Sequence, residues 1–250
     1  MSRPIAVQLY SVRDRLAADF AGTVRLIADI GYAGVETAGL PVPAEEAAKL
    51  FSSLGLTVCS AHTDFPTDET VDEIVKTQKA VGNSTIVSGF GGDYFTDEAA
   101  IRGCAAIAQH GAELAKAHGM RVGMHNHDHE FGVKVGDRYG YDLFLECAPD
   151  VFTQLDVFWT AHAGVDPVKI TQQNRSRLPY LHLKDGPVKK GWPMTAVGKG
   201  DLDIPAIVGA ADPNVLEWLV VELDACDTDM IEAVRDSFSY LVSTGLGHGR

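Results

Sequence analysis

The segment Gly123–Phe131, GMHNHDHEF, places His125, His127 and His129 within five positions and sets Asp128 and Glu130 beside them. Imidazoles and carboxylates at that density suit two kinds of chemistry. They ligate divalent cations, and they move protons near neutral pH, where an unperturbed histidine titrates at about 6.5. Further along, single ionisable residues stand inside otherwise apolar runs: Asp156 in FTQLDV, His182 and Lys184 in PYLHLKD, Glu222 in LVVELD. Toward the N-terminus the same pattern holds for Tyr10 in IAVQLY, Glu36 in AGVET and His62 in LTVCSAH, and Gln8 adds a neutral polar group to the first of these runs. An ionised group in apolar surroundings is costly unless it is paired or bound to a metal.

The elements that must position these residues follow from periodicity. Short β-branched runs at 5–10, 33–37, 56–62, 84–89, 121–127, 152–157, 179–185 and 219–224 predict eight strands. Helical patterns lie between them. Phe20, Val24 and Ile27 share a face and Gly31 gives the stop signal; AEEAAKLFSSLG is the next helix. Others are predicted at 71–81, 97–118 and 141–147, near VDPVKI, from Ile204, and over the last face, Met230 to Leu241. The strands are apolar on both sides, as a parallel sheet covered by helices requires. Eight such units in one α/β chain of 250 residues predict a (β/α)8 TIM barrel, a single domain over 1–244 with 245–250 as a flexible tail. An open doubly wound sheet would carry a Gly-rich phosphate loop after its first strand, and QLYSVRD has no glycine.

Barrel chemistry gathers at the C-terminal ends of the strands. The residues singled out above fall there: Gln8 and Tyr10, Glu36, His62, His125 and His127, Asp156, His182 and Lys184, and Glu222. Taken alone, any one has an ordinary explanation; Asp156 could cap a helix. Together, carboxylates and imidazoles from separate strands meeting at one rim predict a divalent-metal site.

In chain order, GMHNHDHEF, LDVFWTAHAGVDP, YLHLKD, GKGDLD and VVELD resemble the sugar phosphate isomerase/epimerase family, the xylose-isomerase-like barrels. The resemblance extends from VQLYSVRD and GYAGVE to the final helix. It implies one divalent metal ion, manganese, zinc, cobalt or magnesium, held by Glu, Asp, His and Glu from strand ends. On this chain Asp156, His182 and Glu222 match the last three ligands. The first departs: many relatives have Glu-Asn-His where this chain has His125-Asn126-His127. Glu130 is the expected replacement, with His125 as the alternative ligand.

The resemblance also implies proton removal next to a carbonyl, through a metal-stabilised enediolate, on a small carbohydrate or cyclitol. Glu222 is then base as well as ligand, and His127 and Lys184 are the other candidate catalytic groups. VSGFGGD offers no second catalytic Glu. The primary expectation is a sugar or keto-polyol isomerase or epimerase. The alternative is a dehydratase or lyase acting on a keto-cyclitol or 3-keto-glycoside, and a non-catalytic sugar-binding barrel comes third. Gln8, Tyr10, Glu36, His62, Phe90 and Trp159 are expected to line the pocket. Lys199, in the Gly-flanked GKGD, is expected to hold a phosphate or hydroxyl of the substrate.

Composition narrows the partners. The net charge of −13 repels phosphate backbones and anionic lipid, which opposes a nucleic-acid or membrane partner and the endonuclease branch of the fold. Cys59, Cys104, Cys147 and Cys226 are scattered without a CxxC pair, as reduced thiols in a cytoplasmic protein are. MSRPIAVQLYSV has no apolar leader core. Pairing of copies into a homo-oligomer is left open.

Overall fold

Parallel strand pairing runs all the way round and meets itself. In the computed structural model, which describes residues 2–250, the barrel strands are β1 (Arg3–Gln8), β2 (Gly34–Ala38), β3 (Thr57–His62), β4 (Thr85–Ser88), β5 (Arg121–His125), β6 (Phe152–Asp156), β7 (Tyr180–Leu183) and β8 (Trp218–Val221). Each pairs with the next in parallel, and β8 closes on β1 through Ile5–Leu219, Ala6–Val220 and Val7–Val221. The register sets chemical neighbours side by side: Gln8 opposite Glu36, and Asp156 opposite His182.

Helices follow the strands, and aspartate begins most of them. Asp19, Asp97, Asp156, Asp166, Asp203 and Asp229 each accept a backbone N–H in the first turn of the helix they open. Such a cap satisfies a donor that has no partner within the helix. Part of the chain's acidity therefore serves helix starts rather than a binding surface.

The floor of the barrel is aromatic. Tyr180, Ala6, Cys59 and Val220 form a small interior cluster with Phe152 and Trp218 against it. The Tyr180 hydroxyl donates to the Cys59 carbonyl at 2.8 Å. Arg121 covers this plug: its guanidinium lies 5.4 Å from the ring centroids of both Phe152 and Tyr180 and donates to Glu217 at 2.7 Å. Water is thus excluded from one end, and the polar residues face the other.

Two expectations are corrected. The first strand stops at Gln8 rather than Tyr10, because the Gln8 side chain accepts from the Tyr10 N–H at 3.1 Å and turns the chain into a 3-10 helix, Leu9–Val12. The tail at 245–250 is not loose. Gly247 and His248 pair with Arg3 and Pro4 of β1, and Arg250 donates to the carbonyls of Ala28 and Leu54 at the ends of two helices. Carbonyls in the last turn of a helix have spare acceptor capacity, and a terminal arginine can take it up. Among the described residues no helix is long and apolar enough to cross a membrane.

Gly123 makes the floor possible. A Cβ there would stand 2.1 Å from Cε2 of Phe152, so the ring or the strand would have to move. Gly123→Ala is expected to destabilise the fold by about 1–3 kcal/mol, a melting temperature lower by roughly 2–12 °C for a chain of this size. Thermal unfolding checks this; an unchanged midpoint would mean the floor is not close-packed.

Candidate functional site

Polar side chains from six strands build the open mouth in two tiers. Glu36 is the centre of the lower tier and is fully buried. Its carboxylate accepts from Gln8 Nε2 at 2.8 Å, Gln154 Nε2 at 2.6 Å and His182 Nε2 at 2.5 Å, and from the Ser60 hydroxyl. His62 Nε2 lies 3.1 Å away. Gln154 links the tier outward, its Oε1 standing 2.9 Å from His62 Nε2 and 3.1 Å from His125 Nδ1. Burial alone would raise the Glu36 pKa, but the His62 and His182 rings hold it well below the ordinary carboxylate value.

The upper tier surrounds the Lys184 ammonium. Nζ is 2.7 Å from Glu222 Oε2, 3.1 Å from Asp156 Oδ2 and 3.0 Å from both oxygens of Asp224. His182 bridges the tiers, with Nδ1 3.1 Å from Glu222 Oε2. Burial opposes a charge on this ring, yet Glu36 and Glu222 on its two sides raise its pKa to about 10. Burial and the neighbouring His182 push the pKa of His125 down, so it is a neutral ring with a lone pair to offer.

His125, Asp156, His182 and Glu222 each present a ligand atom, and these atoms lie within 4.8 Å of one another. Asp156 splits its carboxylate: Oδ1 accepts from the Trp159 N–H and caps Val157–His162, while Oδ2 is buried near the ammonium without an aligned hydrogen bond. Four carboxylates, Glu36, Asp156, Glu222 and Asp224, crowd around Lys184 and the His182 and His62 rings, and burial raises the pKa of Asp156 among them. The Oδ2 that lacks an aligned hydrogen bond, the neutral imidazole and the crowding of carboxylates fit a divalent cation. His182 would have to give up a proton to serve as a ligand, so loading would release protons.

The site opens into a cavity of about 560 Å³. Tyr10, His62, Phe90, His127 and Trp159 line it together with Lys184 and Glu222. Gln8 and Glu36 do not reach it; both are fully buried and support the tier above. Lys199 is not at the cavity. The Asp185 carboxylate accepts from the N–H groups of Gly186, Gly198, Gly200 and Leu202, and this wraps the GKGD loop so that Lys199 Nζ meets Asp236 on the last helix at 2.5 Å. Glu130 is not among the four gathered donors either. Its Oε2 accepts the His127 N–H at 2.8 Å, which holds the carboxylate in its own turn, and His125, the last residue of β5, takes the place beside Asp156. Asp224 and Gln154 were missed. Each lies two residues from a ligand, Asp224 after Glu222 and Gln154 before Asp156, and the two-residue period of an extended chain was the available signal.

The family model described as xylose isomerase-like TIM barrel matches residues 24–243. Among solved structures, a sugar phosphate isomerase/epimerase from Parabacteroides distasonis is 24% identical, with 96% of this chain and 94% of that one covered at a TM-score of 0.79. An L-ribulose 3-epimerase is 18% identical, covering 98% and 95% at a TM-score of 0.72. A 3-keto-D-glucoside 4-epimerase from E. coli is 18% identical, covering 90% and 94% at a TM-score of 0.67. At these identities the likeness establishes the fold alone. None of the curated proteins matches the chain significantly.

The His182 pKa gives a pH dependence. A group raised from 6.5 to about 10 on folding contributes stability that is complete below the lower value and lost as pH rises through the upper one. Chelator-treated protein is therefore expected to lose stability steadily between those two values. Glu36→Gln removes one of the two flanking charges and is expected to flatten that slope in denaturant titrations. Equal slopes would place the proton elsewhere.

Proposed function

The chain belongs to the xylose isomerase-like TIM barrel family, and from that premise we propose that it is a divalent-metal-dependent isomerase or epimerase of a sugar or keto-polyol. One observation carries the reading: Glu222, Asp156, His125, His182 and Lys184 converge at the polar mouth of the barrel, against a cavity of sugar size.

When bound by His125, Asp156, His182 and Glu222, a manganese, zinc, cobalt or magnesium ion would supply Lewis acidity toward a carbonyl oxygen. The chain's own groups do the rest. Trp159 and Phe90 offer aromatic faces to the apolar side of a sugar ring. Trp159 is held in place by its Nε1–H, which donates to Asp224 at 3.2 Å. Glu222 removes the proton α to the carbonyl. Lys184, 2.7 Å from Glu222, places positive charge where the enediolate oxygen develops. His127 lines the same cavity and returns the proton.

A second reading, elimination from a keto-cyclitol or a 3-keto-glycoside, uses the same first step. It is favoured by the carboxylates that line the cavity. Glu222 and Asp224 both contact Lys184 and stand on one side. With no carboxylate facing them across the cavity among the lining residues, His127 is placed to protonate a leaving oxygen rather than to act as a second matched base.

The test is solvent exchange. Metal-loaded protein incubated in deuterated water with a panel of keto-sugars, keto-inositols and 3-keto-glycosides is expected to introduce deuterium α to the carbonyl of at least one substrate. Glu222→Gln is expected to slow that exchange by about 10²–10⁴-fold. Exchange without a new product indicates a misplaced substrate within the right chemistry. No exchange across the panel would overturn the proposal.

A further inference from the structure

One cluster of metal-binding side chains lies outside the four donors. His127, His129 and Glu130 each present a ligand atom, and these three atoms lie within 4.8 Å of one another. Glu130 is fully buried. Its Oε2 is engaged by the His127 N–H, and its Oε1 meets only the His129 ring, without an aligned hydrogen bond. His127 Nδ1 is buried with no partner at all. Such an atom is unusual, because buried polar atoms are almost always satisfied. His129 Nε2 completes the set, 3.1 Å from Glu130 Oε1 and 3.0 Å from the Phe90 carbonyl oxygen.

These separations have a meaning. Donors held about 2.0–2.1 Å from a tetrahedral ion stand roughly 3.3 Å from one another. The distances from His129 Nε2 to Glu130 Oε1 and to the Phe90 oxygen are close to such an edge. The supporting structure is in place too. Glu130 Oε2 fixes the main chain at His127, and Asp128 Oδ2 meets His162 Nδ1 at 2.9 Å and ties the loop from outside.

We propose that His127 Nδ1, His129 Nε2 and Glu130 Oε1 form a second divalent-cation site, distinct from the one at His125, Asp156, His182 and Glu222. Two imidazoles and one carboxylate favour zinc or cobalt over magnesium, which prefers oxygen donors. A cavity of about 220 Å³ lined by Phe90, Gly91, His127, Asp128, His129 and Trp159 adjoins the donors. Three side-chain ligands and an adjoining space are the form of a site with an open position, so the second ion can take an oxygen of a bound polyol. Ligation through Nδ1 leaves the other nitrogen of His127 free for the proton transfer described above.

The test counts ions and is independent of whether the protein enolises any sugar. Chelator-stripped protein is dialysed against zinc, and bound metal is measured by mass spectrometry. About two ions per chain are expected for the unaltered protein and about one for His129→Gln. Asp156→Asn is also expected to keep about one, and the double variant close to none. With cobalt, the visible absorption that survives in Asp156→Asn is expected to differ from that surviving in His129→Gln. Glu130→Gln is a second variant for the same site, and thermal unfolding shows that each variant is folded. A single ion in the unaltered protein, or two ions in folded His129→Gln and Glu130→Gln, would overturn the proposal.

Discussion

Negative charge buried at one mouth of the barrel is the constraint the rest of the molecule answers to. Glu36, Asp156 and Glu222 are almost completely removed from water, and Asp224 adjoins them. Carboxylates in such a place are strongly destabilising unless cations meet them. Lys184 and His182 meet part of that demand, each touching two or more carboxylates. The remainder is what the proposed divalent cation would meet. Asp156 embodies both sides: one oxygen is fixed by a helix start, and the other is aimed into the site.

Holding like charges together requires a frame that does not yield. The closed ladder of parallel strands supplies it, because moving one ligand means slipping a strand against two neighbours. The aromatic floor fills the opposite end, and Gly123 admits the Phe152 ring where any side chain would collide. The lower tier around Glu36 is a second scaffold, this one of hydrogen bonds. It fixes His182 through Nε2 and leaves Nδ1 pointing at Glu222. A carboxylate behind a ligating histidine orients the ring and raises its basicity.

The barrel was legible because each strand is a short apolar run bounded by helical periodicity, and because the first strand lacks the Gly-rich turn that an open doubly wound sheet would carry. The strand-end residues were legible because a charge inside such a run is conspicuous. What escaped depends on how loops close. Lys199 looks free in GKGD, but Asp185 gathers four backbone N–H groups and turns the loop outward. Glu130 and His125 are both near the end of β5; only the capture of Glu130 by the His127 N–H decides between them. The docking of Arg250 onto helix ends from other parts of the chain is a long-range event with no local signal. Gln154 and Asp224 were within reach of the two-residue period, yet neither their amide nor their carboxylate reads as chemistry until its partners are known.

Anomalous diffraction from crystals of the protein grown with manganese is the most direct measurement of the central claim. The account predicts a peak enclosed by His125, Asp156, His182 and Glu222, with the Lys184 ammonium displaced toward Asp224. Density for the ammonium in its present position between Asp156 and Glu222, and no peak among those four residues, would contradict it.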